Sequence, residues 1–210
     1  MKGFTASIIL ACALPLFAWS TARAGPVTFG FTGTVTSIYD PLQILQGAVV
    51  PGDSFLGTYT FDASAADANA SNDDLGEYFN AVLDIEGTIG PIDFAAPNSP
   101  LSSISVFNNL VASSADFFGV SVSGVRMTGV EGFGRLGLGL RDSTGIVFHD
   151  DRLFTIPPPI ADFDMTSFTF QNTLETLRLS GELRTFALVP EPSTGLLALA
   201  LSLAAYRRRR

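Results

Sequence analysis

The sequence predicts an all-β fold, a single antiparallel β-sandwich of jelly-roll or immunoglobulin-like type over residues 25–188. Three observations predict it. Apolar residues recur with period two, turn signals separate the alternating runs, and no stretch of this region carries a helical stripe. Val27, Phe29, Phe31, Gly33 and Val35 share one face of the first run, and Thr28, Gly30, Thr32, Thr34 and Thr36 share the other. Phe55, Gly57, Tyr59 and Phe61 repeat the pattern. Ala81, Leu83, Ile85 and Ile89 follow, opposed by Asp84, Glu86 and Thr88. Then come Phe118, Val120 and Val122, and Leu136, Leu138 and Leu140 alternating with Arg135, Gly137, Gly139 and Arg141. Phe168 and Phe170 precede Leu177, Leu179 and Leu183, after which the parity changes at Phe186 and Leu188, the mark of a bulge or a strand end. The breaks fall at Pro51-Gly52-Asp53, Gly90-Pro91, Pro97 to Pro100, Asp142 to Gly145 and Pro157 to Pro159. Seven to nine short strands are expected, with sixteen phenylalanines to fill a two-sheet core.

Charge narrows the function. Residues 25–189 hold six basic residues, all arginine, against nineteen acidic ones, a net charge of −13 within a chain whose total is −8. Such a field repels phosphate backbones and excludes nucleic acid as a partner. The single cysteine, Cys12, excludes an internal disulfide and a cysteine-based metal cluster.

The first 24 residues read as a signal peptide for Sec export. Lys2 supplies the positive start and Ile8 to Trp19 the apolar stretch. Ala22 and Ala24 are the small residues that signal peptidase reads, so the cut falls before Gly25. Cys12 lies inside the apolar stretch rather than after it, which argues against a lipoprotein box.

The last 22 residues, 189–210, hold three ordered parts. Pro190-Glu191-Pro192-Ser193 is an extended strip that cannot join a sheet ladder, because its prolines lack a backbone donor. Thr194 to Tyr206 is an uncharged apolar segment expected to form a short hydrophobic helix. Arg207, Arg208, Arg209 and Arg210 fix a cytoplasmic end and stop transfer. The thirteen apolar-segment residues, at about 1.5 Å each, span roughly 20 Å of a hydrocarbon core about 30 Å thick, which suits a transient hold on the inner membrane.

These three parts together resemble the PEP-CTERM sorting signal of Gram-negative bacteria. The resemblance implies that exosortase, a membrane-embedded cysteine enzyme, recognises and processes the tail. It also implies delivery to the cell surface or the exopolysaccharide matrix. Pro190, Glu191, Pro192 and Ser193 would be the recognised strip and Arg207 to Arg210 the orienting cluster. A plain tail anchor would not need the Pro-Glu-Pro strip.

The catalytic inventory is thin. His149 is the only histidine, and no Gly-x-Ser-x-Gly elbow accompanies it. Gly132 to Gly137 matches the dinucleotide fingerprint as a string, but strand alternation rather than a helix follows it. Asp62, Asp67, Asn69, Asp73, Asp74 and Glu77 crowd one loop with hard oxygen donors of the type calcium takes, without EF-hand spacing. A solvated acidic loop is the favoured reading, with no cofactor. The expected product is an exported non-enzymatic surface or matrix protein associated with exopolysaccharide or biofilm. The alternatives are a carbohydrate-binding module using Tyr39, Tyr59 or Tyr78 as platforms, and a glycoside-active enzyme using paired carboxylates.

Overall fold

A computed structural model of the chain describes residues 25–97, 99, 101–110 and 114–190. Ten strands run through them: β1 (Pro26–Tyr39), β2 (Ser54–Asp62), β3 (Leu75–Phe79), β4 (Val82–Ile89), β5 (Ile92–Ala95), β6 (Ser102–Leu110), β7 (Ala115–Met127), β8 (Gly134–Asp142), β9 (Met165–Asn172) and β10 (Arg178–Leu188). One 3₁₀ turn, Ile160–Asp162, is the only helical element among the described residues. The all-β expectation holds. The sandwich does not, because the strands form one sheet that closes on itself. Around the ring the order is β1-β2-β4-β5-β7-β8-β9-β10 and back to β1, an eight-stranded antiparallel barrel. β6 and β3 extend it as a flap, β6 pairing with the stretch of β7 that β5 leaves free. The short hydrophobic helix expected at the C-terminus lies outside the described residues.

Two devices bend a sheet of this composition into a ring. The first is bulging. Register shifts interrupt the β1–β10 ladder twice, at Thr32/Gly33 and Val35/Ser37, and the β7–β8 ladder once, at Ser123/Val125, and each extra residue coils the strand that carries it. The shift opposite Thr32/Gly33 skips Arg184, which explains the parity change seen in the sequence before Phe186. The second device is a set of cross-strand glycine–aromatic pairs on the inner face. Phe31 stands opposite Gly57, Gly33 opposite Phe55, and Gly87 opposite Phe94. Each ring lies over a partner that lacks a side chain, so strands can approach closely while the ring fills the space. The seam is narrow. β5 meets β7 through two pairs only, Phe94 with Met127 and Ala95 with Arg126.

The inner face is packed with aromatic rings. Phe55 and Phe168 stack at 4.3 Å, and Phe29 touches Tyr59, Phe61 and Phe186. Leu83 corrects the sequence reading. It was expected in the core beside Ile85, yet it is exposed while Val82 is buried. A bulge opposite Thr60/Phe61 shifts the parity at this point.

Candidate functional site: the rim that carries both chain ends

β1 begins at Pro26 and β10 ends at Leu188, and the two are antiparallel neighbours, with Phe29 opposite Leu188. The pairing runs one residue past the strand. The Val189 N–H donates to the Thr28 carbonyl at 2.9 Å. Gly25 and Pro190, the next residues outward, are both exposed. The position where signal cleavage is expected and the first residue of the Pro-Glu-Pro strip therefore leave the barrel side by side, from one rim. Ala22, Ala24, Glu191, Pro192, Ser193 and Arg207 to Arg210 lie outside the described residues.

The rim has a plug. The segment between Asp142 and Asp164 folds over the barrel mouth. Its Phe154 stacks on Phe29 at 5.8 Å and packs on Phe118, and Phe148 stacks on Phe154 and packs on Phe163. Buried carboxylates anchor it. Asp116, fully buried on β7, accepts from Phe148 N at 2.7 Å and from Asn109 N at 2.9 Å. Asp142 accepts from Thr144 and from Ile146 N. Burial by itself raises the Asp142 carboxyl, but the donors of Ile146, Thr144 and Gly145 outweigh burial and hold it below its ordinary 3.8.

The acidic loop sits on the same rim, since Asp62 at the end of β2 is opposite Pro26. Its oxygens serve its own backbone: Asp67 accepts from Asn69 N and Glu77 N, and Asn69 Nδ2 donates to Glu77 at 2.5 Å. Among the described residues no group of three or more His, Cys, Asp or Glu side chains is placed to hold a metal ion. Tyr78 bridges loop and plug, its hydroxyl donating to the Asp151 carbonyl at 3.0 Å. Burial, with Asp67 and Asp151 nearby, pushes the Tyr78 phenol up to about 12. The Asp151 carboxyl is raised as well, first by burial and then by the charges of Asp67, Asp150 and Asp73. This rim is thus a concentration of mutually repelling negative charge.

Several residues singled out in the sequence are placed apart from one another. His149 is exposed, in a bend of the plug. Gly134 opens β8, so no helix follows the glycine string. Of the three tyrosines, Tyr59 lies inside the barrel and Tyr78 is buried against the plug, leaving Tyr39 as the exposed ring. The adjacency of the two ends was invisible in the sequence, because alternation shows which face a residue takes and not which edges meet.

No helix among the described residues is long and apolar enough to cross a membrane. No curated protein and no solved structure matches the chain. Residues 188–210 match the family described as the PEP-CTERM protein-sorting motif, a match that starts on the final residue of β10. The barrel thus ends where the sorting motif begins, and the C-terminal region carries a PEP-CTERM protein-sorting motif, consistent with an exosortase substrate and implying export with processing at a membrane.

Proposed function

We propose that the chain is an exported, non-enzymatic protein of the cell surface or extracellular matrix, associated with exopolysaccharide, whose barrel is the cargo of its sorting tail. One observation carries the reading: the matched motif starts at Leu188, where the sheet stops, so processing beyond Val189 removes no residue of the barrel. In this mechanism the N-terminal signal starts Sec export and signal peptidase cuts before Gly25. The apolar segment then holds the precursor in the inner membrane, with Arg207 to Arg210 on the cytoplasmic side. Pro190, exposed just outside the rim, leads into the Pro190 to Ser193 strip that passes to exosortase. The acidic rim supports this arrangement. Its charges repel anionic headgroups and stand the barrel off the bilayer, leaving the strip accessible.

The test is Glu191→Ala. The expected result is unprocessed precursor retained in the inner membrane, followed by immunoblot of fractionated cells. Normal processing and surface delivery of the variant would overturn the reading. Intact-mass measurement of the surface form adds a second check, since it should begin at Gly25 and lack the arginine cluster.

A further inference from the structure

The outer face of β6–β9 departs from the rest of the molecule. Its outward positions form a shallow open trough of about 400 Å³. The floor is Gly119, Gly137 and Gly139, neighbours across β7 and β8, with the half-buried ring of Phe117 lying against Gly119 and Gly139. Hydroxyls of Ser105, Ser121, Ser167 and Thr169 flank it in register. One end is closed by Arg135 and Arg178, both opposite Gln171 of β9. None of the residues lining the trough is acidic, although the surrounding domain carries nineteen acids. The only ion pair among the described residues joins Arg152 to Asp150, so neither Arg135 nor Arg178 is neutralised. Arg135 is also oriented. Its Nε donates to Ser121 Oγ at 2.7 Å, which leaves the end of the guanidinium free to face outward.

From this we infer that the trough is a binding site for an extended acidic polysaccharide, with Arg135 and Arg178 taking its carboxylates and the glycine floor and hydroxyl walls taking the sugar edges. The two arginines sit on strands separated by one other strand, so their backbones are about 10 Å apart. They therefore suit a polymer with sparse, regularly spaced charges. A nucleic acid carries a charge about every 1.7 Å, which the domain's net charge of −13 would repel. A protein partner would need a broad apolar centre, and this face offers one half-buried ring, Phe117, among glycines and hydroxyls. A guanidinium pairs with a carboxylate through two parallel hydrogen bonds, the geometry that an exposed arginine supplies best. The inference deepens the exopolysaccharide half of the function proposed above and is independent of the sorting half.

The full chain, purified in mild detergent, is titrated at low salt with polygalacturonate, with neutral dextran and with single-stranded DNA. Polygalacturonate should bind and dextran should bind more weakly. Arg135→Glu with Arg178→Glu should weaken polygalacturonate binding at least about tenfold. Arg152→Glu with Arg184→Glu changes net charge equally and should leave it within about twofold. Melting curves verify folding, and the Arg135→Gln/Arg178→Gln pair replaces the reversal if that variant unfolds. Absent polygalacturonate binding, an equal loss in the control pair, or DNA binding as tight as polygalacturonate would each overturn the site. Processing of the tail in cells, measured on the same variants, shows whether a failure touches this site alone or the sorting mechanism too.

Discussion

Gly57→Ala tests whether glycine–aromatic pairing is what lets the sheet close. A Cβ on residue 57 would lie 2.6 Å from the Glu86 carbonyl oxygen and 2.6 Å from Cζ of Phe31. The first neighbour is backbone of β4, held in its ladder. The second is a ring about 1% exposed, hemmed in by Phe55 at 6.4 Å. Neither can yield freely, so overpacking should cost about 1–3 kcal/mol. Alanine restricts the unfolded chain and returns about 0.4–1 kcal/mol. The net expectation is a destabilisation of about 1–2 kcal/mol, or about 2–8 °C for a domain of this size. Phe31→Ala should cost about 3–5 kcal/mol through its cavity. In the double variant the ring that obstructs the new methyl is gone, so the two losses should fall short of their sum by at least about 1 kcal/mol. Urea unfolding of the processed protein, followed by far-ultraviolet circular dichroism, measures all four corners. Additivity within about 0.5 kcal/mol, or a stabilised Gly57→Ala, would refute the pairing argument.

Asp116→Ala orphans the amides of Phe148 and Asn109 and should cost about 2–5 kcal/mol, with Asp116→Asn near half of that because one acceptor remains, as read from urea midpoints. Tyr59 is buried with a hydroxyl that has no hydrogen-bond partner among the described residues, so Tyr59→Phe should raise stability by about 1–2 kcal/mol in the same assay; a lower midpoint would contradict this. The Asp142 carboxyl is depressed in the folded state below its ordinary 3.8, so its contribution is complete above that value and lost as pH falls through the folded one. Melting curves from about pH 6 to pH 2.5 should therefore show an acid-side loss of stability that is smaller in Asp142→Asn.

Much of the barrel wall was legible because inward Phe, Leu and Ile alternate with Thr, Ser and Arg. β1, β2, β8 and β10 follow from that alone. Three strands escaped it for separate reasons. β3 buries Gly76 and Tyr78 while exposing Phe79, the reverse of an apolar-in pattern. β5 is four residues long, too short to show a period. β6 carries serine on both faces, with Ser102 buried beside Ile104 and Val106. The plug is aperiodic, so Phe148, Phe154 and Phe163 gave no signal. Closure was hidden for a deeper reason. Two packed sheets and one closed sheet share the same inward alternation and differ only in which edges pair. The sorting tail was readable because its chemistry is linear. The trough was not, since its residues come from four strands, although Arg135, Gly137, Gly139 and Arg141 stood out as the polar side of one run.

The place of the last strand gives the tail a physical purpose. β10 bonds to β1 on one side and to β9 on the other, so the ring cannot close until residues up to Leu188 are available, which on the proposed export route means after they have crossed the membrane. In the proposed order of events, the apolar segment that follows arrests the chain at that moment. Because β1 starts and β10 ends on the same rim, the two ends that this proposal holds at the membrane lie on the side where the final pairing must form. Retention then favours closure, since it keeps the two edges near each other instead of leaving a long loop to be ordered. An unclosed barrel would expose the edges of β1 and β9, each a template for pairing with another chain. On the proposed order, cleavage beyond Val189 would leave the Val189–Thr28 hydrogen bond intact, so release would follow the pairing of the vulnerable edges.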